Sequence, residues 1–320
     1  MKQEILRSVQ KMFRDAGFKV SEEHHMKGIS FDIVARRDDV LLFIKVLANV
    51  DTLKEDTAEE MRVLSKILEG VPLVVGLHSG SSPLEDGVVY TRFGVPVISP
   101  GTLYDLLVEG VPPLVFAAPG GFYVNLDGER LKEIRRVRNL SLGDLAEAAG
   151  VSRRTIQLYE ETGRGALAEV ALRIEEFLDV PLLRPIDLFS FSMDDVDLDS
   201  HMGPPPVGEF WENVFRHLID HGCFVVSTER SPFESVVDET QERLLTGVGR
   251  YTRTTIKKAR VIGNVSEVIE KRSFLILDER KHRMEIGGVP VVEASEVVCR
   301  DPEELLELLQ DREKKKKREE

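Results

Sequence analysis

The chain has 320 residues, 42% of them hydrophobic, and a formal charge of -13. Apolar content on that scale reads as a soluble globular protein of about two or three domains, at roughly 100 to 200 residues per domain. The acidic excess argues against a protein that coats nucleic acid everywhere, because phosphate contacts need local Lys and Arg; any DNA contact must come from a patch. Cys223 and Cys299 stand far apart without CxxC spacing, so neither a zinc site nor a disulfide framework is indicated and both are expected as buried, reduced thiols. The longest apolar runs, 71–77 and 111–118, fall well short of the roughly 18 residues that a membrane helix needs. Met1-Lys2-Gln3-Glu4 leads straight into an amphipathic pattern, so a cytoplasmic protein with no membrane partner is expected.

In chain order, residues 1–110 read as an α/β domain. An amphipathic helix over 4–16 ends at a glycine and is followed by β-branched or aromatic runs at 18–21, 31–35, 40–46, 73–77 and 94–98, then a further helix. His24-His25 suggests metal at first sight, but adjacent strand residues point to opposite faces and no third ligand is spaced to help. No phosphate-binding glycine loop occurs, and Ser79-Gly80-Ser81-Ser82 reads as a flexible turn. No cofactor and no metal are expected. Residues 111–126 form a connector, a hairpin around Pro119-Gly120-Gly121.

From 127 to 190 the pattern is helical throughout, and strand signals vanish. Asp127 caps a first helix with Leu131, Ile134 and Val137 or Arg138 at helical spacing and a basic outer face. Ser141 caps a second, with Asp144 as its capping-box partner and Leu145, Ala146 and Ala149 as a small apolar face. Gly150 supplies the left-handed stop, and Ser152 caps a third helix on which Ile156 and Tyr159 share a face. Arg153, Arg154, Thr155 and Gln157 lie near the exposed start of that helix. Arg pairs bidentately with guanine and Gln with adenine, so these residues, with Ser152, fit base reading or phosphate contact in the major groove. Arg135 and Arg138 are candidates for neutralising nearby phosphates. Between Gly128 and Gly165 there are eight Lys/Arg against six Asp/Glu, a local net of +2.

Beyond the helices, 191–206 carries Asp194, Asp195, Asp197 and Asp199 and ends in Gly203-Pro204-Pro205-Pro206, the composition of an extended linker. Residues 207–310 repeat the α/β order of the first domain: Phe224-Val225-Val226-Ser227 answers Phe18-Lys19-Val20-Ser21, and Gly288-Val289-Pro290-Val291 answers Gly94-Val95-Pro96-Val97. Duplication is the favoured explanation, with chance similarity of two small α/β domains as the other. Residues 311–320 are a charged tail.

The run Leu145-Ala146, Gly150-Val151-Ser152, Thr155-Ile156 and Tyr159-Glu160 resembles the LAxxxGVSxxTIxxYE signature of the lambda-repressor/Cro family. The resemblance implies a five-helix domain, completed by helices over 166–178 and 185–189, that binds double-stranded DNA as a dimer. Family members often hold a phosphate with Gln at the start of the second helix, where Leu142 stands here. The first domain resembles the PD-(D/E)xK restriction-endonuclease-like core, in which two acids and a lysine gather a divalent metal and activate water. Asp32 and Lys45 match two of those places and Glu4 the helix acid sometimes used, but Phe43 occupies the second acid's place and cannot ligate magnesium. In the second copy Glu234, Leu245 and Gly247 fall at the places of Asp32, Phe43 and Lys45.

The whole order resembles a group of archaeal helix-turn-helix transcriptional regulators. The expected protein is multidomain: α/β domain, lambda-repressor-like helix-turn-helix, second α/β domain. It is a sequence-specific regulator and not an enzyme, a homodimer whose flanks dimerise or sense an effector or a partner from the transcription machinery. The rival readings are a metal-dependent nuclease targeted by the helix-turn-helix and a protein-interaction adaptor.

Overall fold

The computed structural model describes residues 2–23, 28–163, 165–191, 193–239, 242–279 and 284–319, with the backbone alone at 239 and 313–319. His24 and His25 lie outside the described residues. The chain opens on α1 (Lys2–Asp15), whose Leu6, Val9 and Phe13 recur at helical spacing on its buried side. Then follow β1 (Lys19–Val20), β2 (Ile33–Arg37), β3 (Val40–Asn49), α2 (Glu55–Leu68), β4 (Val71–Ser79) and β5 (Ser82–Pro83). Next come β6 (Val88–Arg92), β7 (Val95–Ile98), α3 (Pro100–Tyr104), β8 (Val115–Ala118) and β9 (Gly121–Leu126). The helical centre comprises α4 (Gly128–Val137), α5 (Leu142–Ala149), α6 (Arg153–Thr162), β10 (Ala166–Leu167), α7 (Ala168–Leu178) and β11 (Leu183–Arg184). The remainder runs α8 (Glu209–Asp220), β12 (Phe224–Ser227), β13 (Ser235–Glu239), β14 (Glu242–Gly249), α9 (Arg253–Ile269) and β15 (Ser273–Leu277). It finishes with β16 (Glu285–Ile286), β17 (Val289–Glu293), α10 (Ala294–Val298) and α11 (Pro302–Glu319).

Two compact units are interleaved in sequence. One comprises Met1–Met12, Leu47–Thr52 and Val74–Phe191; the other comprises Phe13–Val46, Leu53–Leu73 and Ser192–Glu320. In the first unit, β4 pairs parallel with β7, β7 antiparallel with β6, and β6 parallel with β8. The expected hairpin is present, with Ala118 opposite Gly121, and β9 then serves the helical centre directly. It pairs with β10 and β11, and its Val124 and Leu126 join Leu131, Leu145, Ile156 and Ile174 in one apolar core.

That arrangement corrects the five-helix expectation. Residues 185–189 form no helix; instead Leu183 and Arg184 pair with Leu126 and Asn125, and the Ile186 N–H donates to the Pro113 carbonyl at 2.8 Å. Pro185 holds the preceding Arg184 in the extended region that its pairing with Asn125 uses. Strand structure is therefore not absent from the centre.

In the second unit, β1, β2 and β3 run antiparallel, and the C-terminal sheet has the order β12-β13-β14-β15-β17-β16, with β14, β15 and β17 parallel. Two helices of this unit make reciprocal contacts. From α2, Glu60 accepts hydrogen bonds from the Glu229 and Arg230 N–H groups and from Ser231 Oγ, and Glu69 at its end pairs with Arg243 at 2.8 Å. Toward α9, Arg36 donates to the Ile269 carbonyl at 2.8 Å and pairs with Glu270 at 3.3 Å, and Lys19 pairs with Glu267 at 3.0 Å. Burial pushes the Glu60 carboxyl above the usual carboxylate range, against the pull of its hydrogen bonds.

The acidic segment 193–206 is held rather than loose. Arg62 pairs with Asp195 at 2.7 Å, Gly203 N–H donates to Val225, and Met193 and Val196 are buried. Cys223 is buried as expected, whereas Cys299 is exposed. Among the described residues no helix is long and apolar enough to cross a membrane.

Candidate nucleic-acid interface

Local capping sets the three helices α4, α5 and α6. Asp127 accepts from the Arg130 N–H at 3.0 Å, and that bond holds its carboxyl below the usual range. Ser141 and Asp144 close a full capping box, in which the Ser141 N–H donates to the Asp144 carboxylate at 2.6 Å and lowers its pKa. Gly150 takes the left-handed φ of 70°, which lets Val151 fold back with its N–H on the Ala146 carbonyl. Ser152 then caps α6 by accepting from the Thr155 N–H at 3.1 Å, and the two hydroxyls lie 2.8 Å apart.

Packing fixes how α6 is presented. Ile156 and Tyr159 are buried, and Gly128 at the start of α4 lies so close to the Tyr159 and Glu160 carbonyls that a Cβ would collide with backbone. Arg135 of α4 donates to both carboxylate oxygens of Glu160, at 2.5 and 2.9 Å, and to the Leu140 carbonyl at 3.2 Å. The phosphate role expected of Arg135 does not match this placement: its guanidinium is turned inward and binds one helix to another. The Glu160 hydrogen bonds raise its already high pKa further, so it stays charged.

The remaining sequence-identified residues are on the surface. Ser152, Arg153, Arg154 and Gln157 are exposed and Thr155 is half-buried. Arg138 is exposed where α4 ends, and so is Val137, which does not join the buried face that its spacing allowed. Arg153 reaches back over the start of α5, where an ideal Cβ on Gly143 would sit 3.1 Å from its Nε. Gln157 Nε2 donates to Glu161 at 2.8 Å. A shallow groove of about 300 Å³ follows α6, lined by Ser152, Arg154, Thr155, Gln157, Leu158 and Glu161. Leu158 and Glu161 were not singled out from the sequence; each stands four residues after Arg154 or Gln157, and that step is the signal that places them on that face. Leu142 packs against the core, so it has a structural use at the place where the lambda-repressor/Cro resemblance implies a phosphate-holding Gln.

The nuclease-like residues have a different environment. Asp32 accepts from the Val46 N–H at 2.9 Å, and Lys45 Nζ lies 3.7 Å from it while donating to the Ile29 carbonyl at 2.5 Å. Phe43 is fully buried and meets Phe31 edge-on, with ring centroids 5.6 Å apart. Glu4 sits on α1. In the C-terminal sheet Glu234 accepts from the Val248 N–H at 2.8 Å, repeating Asp32. Its cation is Lys258, supplied by α9; Gly247 leaves the strand position empty, and a Cβ there would meet Ile262 at 2.7 Å. Among the described residues no group of three or more His, Cys, Asp or Glu is placed to hold a metal ion.

Comparison with known proteins agrees with this division. Residues 2–113 match the PD-(D/E)XK superfamily domain, and residues 131–184 match a helix-turn-helix family. A protein of Halorubrum lacusprofundi is 40% identical over 314 residues, covering 97% of each chain. Proteins of Methanococcoides burtonii (38% identical, 98% of each chain) and Pyrococcus furiosus (39% identical, 97% of this chain and 98% of the relative) match equally far. All three carry the name "Putative HTH-type transcriptional regulatory protein". No solved structure matches the chain. With an N-terminal PD-(D/E)XK-like α/β region, a helix-turn-helix centre and a C-terminal sheet region, the chain belongs to this archaeal family of HTH-type transcriptional regulatory proteins.

Proposed function

We propose that the chain is a sequence-specific transcriptional regulator that binds double-stranded DNA through the exposed first half of α6. The observation that carries this reading is the presentation of Arg153, Arg154 and Gln157 to solvent on a helix whose cap and buried face are both fixed. Arg153 and Arg154 suit guanine edges and Gln157 an adenine, once its amide leaves Glu161. The amino end of α6, with the Ser152 and Thr155 hydroxyls, suits a phosphate, and Arg138 offers a further exposed cation at the end of α4. Arg135 has a positioning role, holding α4 against α6.

The two α/β regions are read as products of one duplication. Support comes from Asp32 and Glu234, which accept from Val46 and Val248 at the same sequence offset, and from α2 and α9, which both end in a left-handed Glu (Glu69, Glu270). Neither region is read as a nuclease, since Phe43 and Leu245 put apolar side chains where a second metal-binding acid would stand. Their assigned role is dimerisation or sensing of an effector or partner in the cytoplasm. A homodimer would set two α6 helices about 34 to 36 Å apart on one face of DNA.

Selection of bound duplexes from a random pool at fixed salt tests the reading. The expected product is a palindrome with half-sites about one helical turn apart. A pool that stays random, or that is cut in the presence of magnesium, contradicts it.

A further inference from the structure

The helices α2 and α9 occupy corresponding places in their regions but carry opposite charge. In α2, Glu55, Asp56, Glu59 and Glu60 crowd the start, and three of these acids have protein partners: Asp56 with Arg230, Glu59 with Arg62, and Glu60 with the 229–231 backbone and Ser231. In α9 the first half carries Arg253, Lys257, Lys258 and Arg260, and no acid appears before Glu267. Lys258 is used internally, on Glu234.

The other three stand at i, i+4 and i+7, on the face opposite the buried Thr255, Ala259 and Ile262, and all three are exposed. None of them pairs with a described acidic residue. Two features of helix physics oppose the row. Like charges at i,i+3 and i,i+4 repel, and a cation in the first turn opposes the helix dipole. In a chain of net charge -13, nothing within the helix rewards this arrangement.

The row leads into an open groove of about 590 Å³ between α9 and the β16–β17 turn. Its floor is nearly bare backbone: Gly263 approaches Gly287 so closely that a Cβ would lie 2.8 Å from the Gly287 carbonyl oxygen, and Arg260 lies along Gly287. Lys271 and Arg272 stand on the groove wall with two acids, Glu267, which is paired with Lys19, and Glu22, whose N–H donates to the Asn264 side chain at 2.7 Å.

We propose that Arg253, Lys257 and Arg260 form a second, sequence-independent contact for the phosphate backbone of double-stranded DNA. The row spans about 10 Å at 1.5 Å per residue, and one DNA strand carries a charge about every 3.4 Å of axis, so it covers about three phosphates. The inference rests on the reading of the chain as a DNA-binding protein, and its chemistry is distinct from base reading by α6.

The test uses the full chain with Arg253→Gln/Lys257→Gln/Arg260→Gln, titrated at several salt concentrations against the selected duplex and a scrambled one of equal length. Affinity for both duplexes should fall together by about one to two orders of magnitude, with the log–log salt slope smaller by roughly 2 to 3. The preference for the selected duplex should not change. Lys257→Gln alone should reduce the slope by about 0.9, which keeps the test open if the triple variant folds poorly. Unchanged slopes in both variants overturn the proposal. An Arg153→Ala/Arg154→Ala chain measured alongside separates the failures: if it too binds as the wild type does, the DNA reading has failed, and if it loses preference while the α9 variants keep the wild-type affinity and salt slope, the α9 contact has failed.

Discussion

Arg135 and Arg153 are indistinguishable as residue types on basic helix faces, yet the partner available to each decides what it does. Arg135 meets Glu160, with side chains 14% and 5% exposed, and the pair is bidentate. Removing one member of such a pair strands a charge, which typically costs about 3 to 5 kcal/mol. Arg135→Ala should therefore lower the urea midpoint and Tm markedly, while the folded fraction keeps its DNA preference. Arg153→Ala should leave both midpoints within about 0.5 kcal/mol, the usual range at a surface site. A neutral Arg135→Ala would show that the pair does not hold α4 to α6. The sequence exposes both arginines as cations near a helix-turn-helix but not their directions, because Glu160 lies on another helix and only the tertiary fold brings it to Arg135.

At the scale of elements, legibility follows the range of the interaction. The caps Asp127, Ser141 and Ser152 and the stop at Gly150 can be read from the sequence because each bond closes within a few residues. The strands β10 and β11 cannot, since two residues carry no alternation and their pairing exists only once β9 lies alongside. Likewise the acidic composition of 193–206 suggests a loose tether, whereas Arg62 and Lys66 of α2 supply the cations that hold Asp195 and Asp194. Glu60 on the same helix makes a pH prediction. Its pKa is raised by burial, so protonation is more favourable in the folded state than in the unfolded one. Its contribution to stability is full below the ordinary Glu value of 4.5 and is lost as pH rises through the raised one. Urea midpoints taken from pH 4.5 upward should fall less steeply in Glu60→Gln than in the wild type; identical slopes would remove Glu60 as the source.

For the whole molecule, the proposed absence of nuclease chemistry turns on the amino end. The PD-(D/E)XK match covers residues 2–113, but Phe43 is packed against Phe31 and Asp32 faces Lys45. The proposed duplication draws on an order of elements that can be read in the sequence; that Asp32 has its cation on a strand, Lys45, and Glu234 on a helix, Lys258, cannot, because nothing local marks Lys258 as Glu234's partner. Net charge places the same constraint on the molecule as a whole, confining any grip on DNA to local faces such as the start of α6. The most direct measurement of the central claim is the affinity of Arg153→Ala/Arg154→Ala for the selected and scrambled duplexes at one salt concentration. Base reading by α6 predicts that preference for the selected duplex falls by about 1 to 3 kcal/mol for each bidentate contact removed, with thermal stability unchanged. Preference equal to that of the wild type would contradict it.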